Sequence, residues 1–88
     1  MFSDSDITRL RQSPYGIIQI NHHDVTLHSS RTGHDWIIVS NYETPGCYLL
    51  HRHSARYPYH RQRGTYKSLE DALGYINHHE KWFITHKM

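Results

Sequence analysis

The stretch Thr65-Tyr66-Lys67-Ser68-Leu69-Glu70-Asp71-Ala72-Leu73-Gly74-Tyr75-Ile76 constrains this chain more than any other. Ser68 has the chemistry of a helix N-cap, its hydroxyl placed to accept from the Asp71 N–H, with Asp71 placed to reach back as an aspartate version of the capping box. Glu70 and Asp71 put negative charge at the positive end of the helix dipole. Leu69, Ala72, Leu73 and Ile76 follow at the spacing of one helical face, so the helix must lie on an apolar surface. Gly74 costs about 1 kcal/mol relative to alanine inside a helix, which a close approach of helix and sheet would explain. The helix is expected to reach at least His79. The tail Lys81-Trp82-Phe83-Ile84 is apolar enough to pack, and residues 81–88 either continue the helix or leave it extended.

The surface under this helix is read from the preceding residues. Residues 3–12 form a short helix capped by Ser3 or Asp4, with Ile7 and Leu10 on one side and Pro14 closing it, or else a frayed terminus. From Tyr15 the apolar period becomes two. Ile18 and Ile20 share one face of a first strand, Asn21-His22-His23-Asp24 is a turn, and Val25 and Leu27 alternate with Thr26 and His28 in a second. Gly33 supplies a loop position that favours positive φ. Trp36-Ile37-Ile38-Val39 is the strongest β-former and reads as a central strand. Pro45-Gly46 suits the middle of a type II turn, after which Cys47 to His53 returns as a fourth strand. Tyr57-Pro58-Tyr59-His60-Arg61 is an edge strand or loop, because proline cannot donate to a ladder.

The expected fold is α+β: an antiparallel meander of about four strands, packed on one face by the C-terminal helix. Residues 1–14 form the N-terminal segment and 15–88 a single domain. Its core is expected to hold Ile18, Ile20, Val25, Leu27, Trp36, Ile38, Leu49, Leu69, Leu73 and Ile76. Eighty-eight residues bury only about 60–65% of the surface their unfolded chain exposes, so the core is thin. Cys47 is the single cysteine, which excludes an internal disulfide. No apolar run approaches the roughly 18 residues of a membrane span. The N-terminus lacks the basic and apolar regions of a signal peptide, and a cytoplasmic location without membrane contact is expected.

Net charge is only +2, but it is unevenly distributed. All eight carboxylate side chains lie outside the stretch Thr44–Leu69, which carries Arg52, Arg56, Arg61, Arg63 and Lys67. Tyr57, Tyr59 and Tyr66 interleave with these cations. Arginine and lysine neutralise phosphates, tyrosine faces stack on unpaired bases, and arginine suits sites where a planar fork grips phosphate or carboxylate. Arg52, Arg56, Tyr57, Tyr59, Arg61, Arg63 and Lys67 are therefore the candidate binding residues, for nucleic acid or for an acidic protein. The same residues would also serve as a solvated edge that discourages sheet-to-sheet aggregation.

Ten histidines raise the question of a metal. His51 and His53 share one side of a strand, and His22-His23 and His78-His79 are adjacent pairs. No Cys-x-x-Cys or His-Glu-x-x-His spacing is present, so no metal or other cofactor is expected from the spacing. Cys47, between Gly46 and a β-run, reads as a small strand hydrophobe before it reads as a nucleophile.

Two short likenesses bear on function. Arg31-Thr32-Gly33-His34 and Tyr57-Pro58-Tyr59-His60 resemble segments of small toxin ribonucleases of the HicA type, whose fold has three strands between two helices. That resemblance implies histidine acid–base chemistry, with His34 and His60 as the catalytic pair. Tyr66, Ser68, Asp71 and Ala72, following a short antiparallel sheet, resemble the helix opening of the arm-type DNA-binding domains of phage integrases. With no reaction motif present, the expected function is a small non-catalytic binding module acting on nucleic acid or on a nucleic-acid-binding protein. An adaptor or inhibitor suits that size, such as a phage-encoded anti-CRISPR against a host defence nuclease. The uncovered sheet face, with Ile37 and Val39, is expected to support homo-oligomer formation or to take a partner.

Overall fold

The computed structural model describes residues 1–41, 46–62 and 64–86. Helix α1 (Asp4–Arg11) precedes strands β1 (Gly16–Ile20), β2 (Asp24–His28), β3 (Asp35–Ser40), β4 (Cys47–Arg52) and β5 (His60–Arg61), and helix α2 (Leu69–His86) ends the chain. The strands form one antiparallel sheet in the order β1-β2-β3-β4-β5. This is the α+β meander the periodicity predicts, with Pro58 left just outside a two-residue edge strand. The Pro45 half of the expected Pro45-Gly46 turn lies outside the described residues.

Local chemistry sets the element ends. Ser3 Oγ accepts from the Asp6 N–H and the Asp6 carboxylate from the Ser3 N–H, each at 3.0 Å, which closes a reciprocal cap on α1. Asn21 Oδ1 accepts from the N–H groups of His23 (2.7 Å) and Asp24 (2.9 Å), turning β1 into β2. Ser68 Oγ accepts from the Asp71 N–H at 3.2 Å and starts α2 where the sequence places it.

Alternation then decides the two faces of the sheet. Val25, Leu27, Trp36, Ile38, Cys47 and Leu49 point inward and join Leu69, Ala72, Leu73 and Ile76 of α2 in one buried cluster. Phe2 and Leu10 complete it, so the N-terminal segment belongs to the same core. An Arg9–Glu70 ion pair and a hydrogen bond from Tyr15 to Asn77 tie that segment to α2.

Two expectations are corrected. Ile18 is 62% exposed rather than in the core. A bulge between Ile17 and Gln19 leaves Ile18 without a partner and resets the alternation, so that Ile17 and Ile20 face inward, half-buried. Gly74 marks no close approach, since a Cβ there meets nothing within 4 Å. The tight approach is at Gly46, where a Cβ would lie 2.7 Å from the Tyr66 carbonyl oxygen. There Cys47 and Tyr66 exchange backbone hydrogen bonds of 2.9 and 2.8 Å. No helix among the described residues is long and apolar enough to cross a membrane.

Candidate functional site

Strand register places Tyr48, Arg52 and Arg61 on the sheet face that the helices leave open. His28, Asp35 and Arg52 stand in one row across β2, β3 and β4, and Thr26, Ile37, Leu50 and Arg61 in the next. Asp35, only 4% exposed, accepts from Arg52 Nε and pairs with His28 Nδ1, each at 2.7 Å. Burial pushes its carboxyl upward, but the bonds from His28 and Arg52 outweigh this and hold it below the usual carboxylate range. Arg52 also lies over the Tyr59 ring (4.4 Å to the centroid), and Arg61 over Tyr48 (4.2 Å). Ile37, Val39 and Leu50, half-buried, make an apolar centre beside these pairs.

The linear stretch is not one patch. Arg56 and Tyr57 are exposed in the connection between β4 and β5. Lys67 follows Tyr66, which bridges to Cys47 at the opposite end of β4 from Arg52. Arg63 lies outside the described residues. Tyr48 was missed from sequence; its signal is its outward parity in β4, shared with Leu50 and Arg52.

On the helix-covered side, the fold gathers histidines. His34 directly precedes β3, His51 lies in β4 and His79 in α2, and one ring nitrogen from each lies within 4.8 Å of the others. His34 Nδ1 and His51 Nε2 are 3.0 Å apart, and His34 Nδ1 is 3.4 Å from Glu80 Oε2. Glu80 is itself buried and accepts from the Thr32 hydroxyl, 2.9 and 3.0 Å from its two oxygens; Thr32 Oγ1 also accepts from the His34 N–H at 3.1 Å. His79 Nδ1 is buried with no hydrogen-bond partner among the described residues. Trp36 and Phe83 pack on the group, with centroids 4.1 Å from His51 and 4.4 Å from His34.

Burial lowers the pKa of all three rings. For His34, the Glu80 carboxylate opposes this and His53 and His79 add to it. His51 falls to about 3, with His34, His79 and His53 reinforcing burial. His79 is lowered by burial against the pull of Glu80. At neutral pH the three are neutral imidazoles, the form that ligates metals. The residues present could thus hold a metal as three nitrogen donors.

A cleft of about 270 Å³ opens beside this group, walled by His51, His53, Tyr57, His60, Gln62 and His79. His60 faces it because it is paired with His51 across the β4–β5 ladder. His34 is 1% exposed and does not line the cleft, so the two histidines singled out for acid–base chemistry differ sharply in access. Burial, with Asp6 and Asp71 adding, pushes the Cys47 thiol up to about 11, leaving it protonated and unreactive at neutral pH.

The convergence of His34, His51 and His79 was missed from sequence, yet each occupies an inward position: two before Trp36, two after Leu49 and three after Ile76. No protein-family model, curated protein or solved structure matches this chain.

Proposed function

We propose that the protein is a small non-catalytic binding module, an adaptor or inhibitor that docks its open sheet face on an acidic surface of a nucleic-acid-handling protein. The observation that carries this reading is the row Ile37, Leu50, Arg61 with Arg61 held over Tyr48, beside Arg52 held over Tyr59. An apolar centre framed by arginine and tyrosine has the composition of a protein interface, in which charge is depleted centrally and these two residue types are enriched. Guanidinium groups already resting on rings lose less freedom when a partner fixes them.

The same geometry is less suited to unpaired bases. One face each of Tyr48 and Tyr59 is taken by the protein's own arginines, and the charge of Arg52 is neutralised by Asp35. Binding is favoured over catalysis by the burial of His34 and by the protonated thiol of Cys47. A phage-encoded inhibitor of a host defence nuclease is one protein of this description.

The test combines capture with charge reversal. A protein partner retained from host lysate after nuclease treatment, and lost with Arg61→Glu, supports the reading; Arg61 is exposed, so circular dichroism should be unchanged. Binding of single- or double-stranded oligonucleotides with a log–log salt slope of roughly −0.7 to −0.9 per phosphate contact would transfer the reading to nucleic acid.

A further inference from the structure

We propose that His34, His51 and His79 form a binding site for one divalent transition-metal ion of the zinc class, reached from the cleft beside His53. The three rings lie on the opposite side of the sheet from the centre of the proposed docking face, and Arg52 reaches the edge of both. Metal-ligand spacing along the chain gives no hint of it, because the three donors come from a loop, a strand and a helix.

The distances fit such an ion. Tetrahedral zinc with bonds of about 2.0–2.1 Å to nitrogen requires donors about 3.3 Å apart. His34 Nδ1 and His51 Nε2 are 3.0 Å apart, and all three donors fall within 4.8 Å. Adjustments within the range of side-chain rotation would seat the ion. Three imidazoles with no thiolate favour zinc, cobalt, nickel or copper over magnesium or calcium, which prefer oxygen.

The hydrogen-bond inventory points the same way. One proton shared between His34 and His51 satisfies that pair, but His79 Nδ1 is buried without a partner among the described residues. A buried polar nitrogen left so is costly, and a shared cation satisfies these lone pairs together. The Glu80 carboxylate, held by Thr32, stands beside the same His34 Nδ1 that faces His51, on the donor side of the ring. Carboxylates are common partners of zinc, and one beside the donor nitrogens offsets the charge of the ion. The fourth coordination position faces the cleft, where the His53 ring lies 4.8 Å from His34 and 5.0 Å from His51. His53 or a water molecule would take it.

The experiment uses the full chain without an affinity tag, stripped with chelator and titrated with Co²⁺, then with competing Zn²⁺. The expected result is one equivalent bound, with the visible absorption of a four-coordinate nitrogen-ligated cobalt, bleached by zinc, and a melting temperature that climbs with zinc concentration. His79 is half-buried at the cleft wall, so His79→Ala should fold. It should weaken cobalt binding by at least about a hundredfold, since even partners of ligands are worth about 10–100-fold. His78→Ala, one residue away and exposed, should leave binding unchanged. Wild-type protein that takes up no cobalt or zinc would overturn the proposal. So would uptake that survives His79→Ala, or that vanishes with His22→Ala and His23→Ala instead.

Discussion

Asp35 is the side chain whose charge the open face can least do without. It is buried under strands that offer it one arginine and one histidine, and both its oxygens are used. Asp35→Asn keeps the shape and removes the charge, leaving Arg52 with a weaker acceptor. Hydrogen bonds to charged groups are worth about 1.5–3 kcal/mol, so a loss of that order is expected in urea unfolding, with an unchanged m-value. Ser68 is the corresponding residue for α2. Its hydroxyl satisfies one of the four orphan N–H groups of the helix start, and Ser68→Ala should cost about 1 kcal/mol. In a domain of this size that lowers the melting temperature by about 4–8 °C. An unaltered melting curve would mean that another group caps the helix.

The elements differ in how far their sequence dictates them, and two glycines make the point. Gly74 sits exposed in α2 with open space where a Cβ would go, so Gly74→Ala should raise stability by up to about 1 kcal/mol. Gly46→Ala should lower it, because the added carbon meets the Tyr66 carbonyl and the Cys47–Tyr66 pairing must give way. Thermal melts of the two variants should move in opposite directions. Sequence shows both glycines but not which one backbone approaches, since that depends on where residue 66 returns beside residue 47. The alternation of β2, β3 and β4 and the 3.6-residue period of α2 are legible because each is a local pattern with a face to bury. The β1 bulge is not, because one extra residue inverts the alternation without changing the composition. The histidine group is legible only in part. Parity marks His34, His51 and His79 as inward residues, but their meeting at one point is a property of the sheet order and of where α2 crosses it.

At the scale of the whole molecule, both helices serve one side of a five-stranded sheet, and nothing among the described residues covers the centre of the other. Ile37 and Val39 are half-buried there, shielded by Leu50, Tyr48 and the stacked arginines rather than fully exposed as two bare β-branched residues. The face is therefore only moderately apolar, and Arg61 is the rim charge that no carboxylate pairs with among the described residues, Arg52 being held by Asp35. Two copies meeting face to face gain burial of the apolar centre but bring Arg61 of one toward cations of the other. The balance favours weak association, strengthened by salt that screens the rim. Sedimentation at rising concentration should show a reversible monomer–dimer shift that grows with ionic strength. Ile37→Thr with Val39→Thr keeps β-branched shape and strand propensity while removing apolar surface, so it should abolish the shift and leave the fold intact. An acidic partner would instead be released by salt, because there the rim attracts. Opposite salt responses of the dimer and of the partner complex, measured on one protein, would separate what the apolar centre contributes from what the arginines contribute. A chain that stays monomeric at every concentration and salt would mean that Leu50, Tyr48 and the arginines already screen the apolar centre fully.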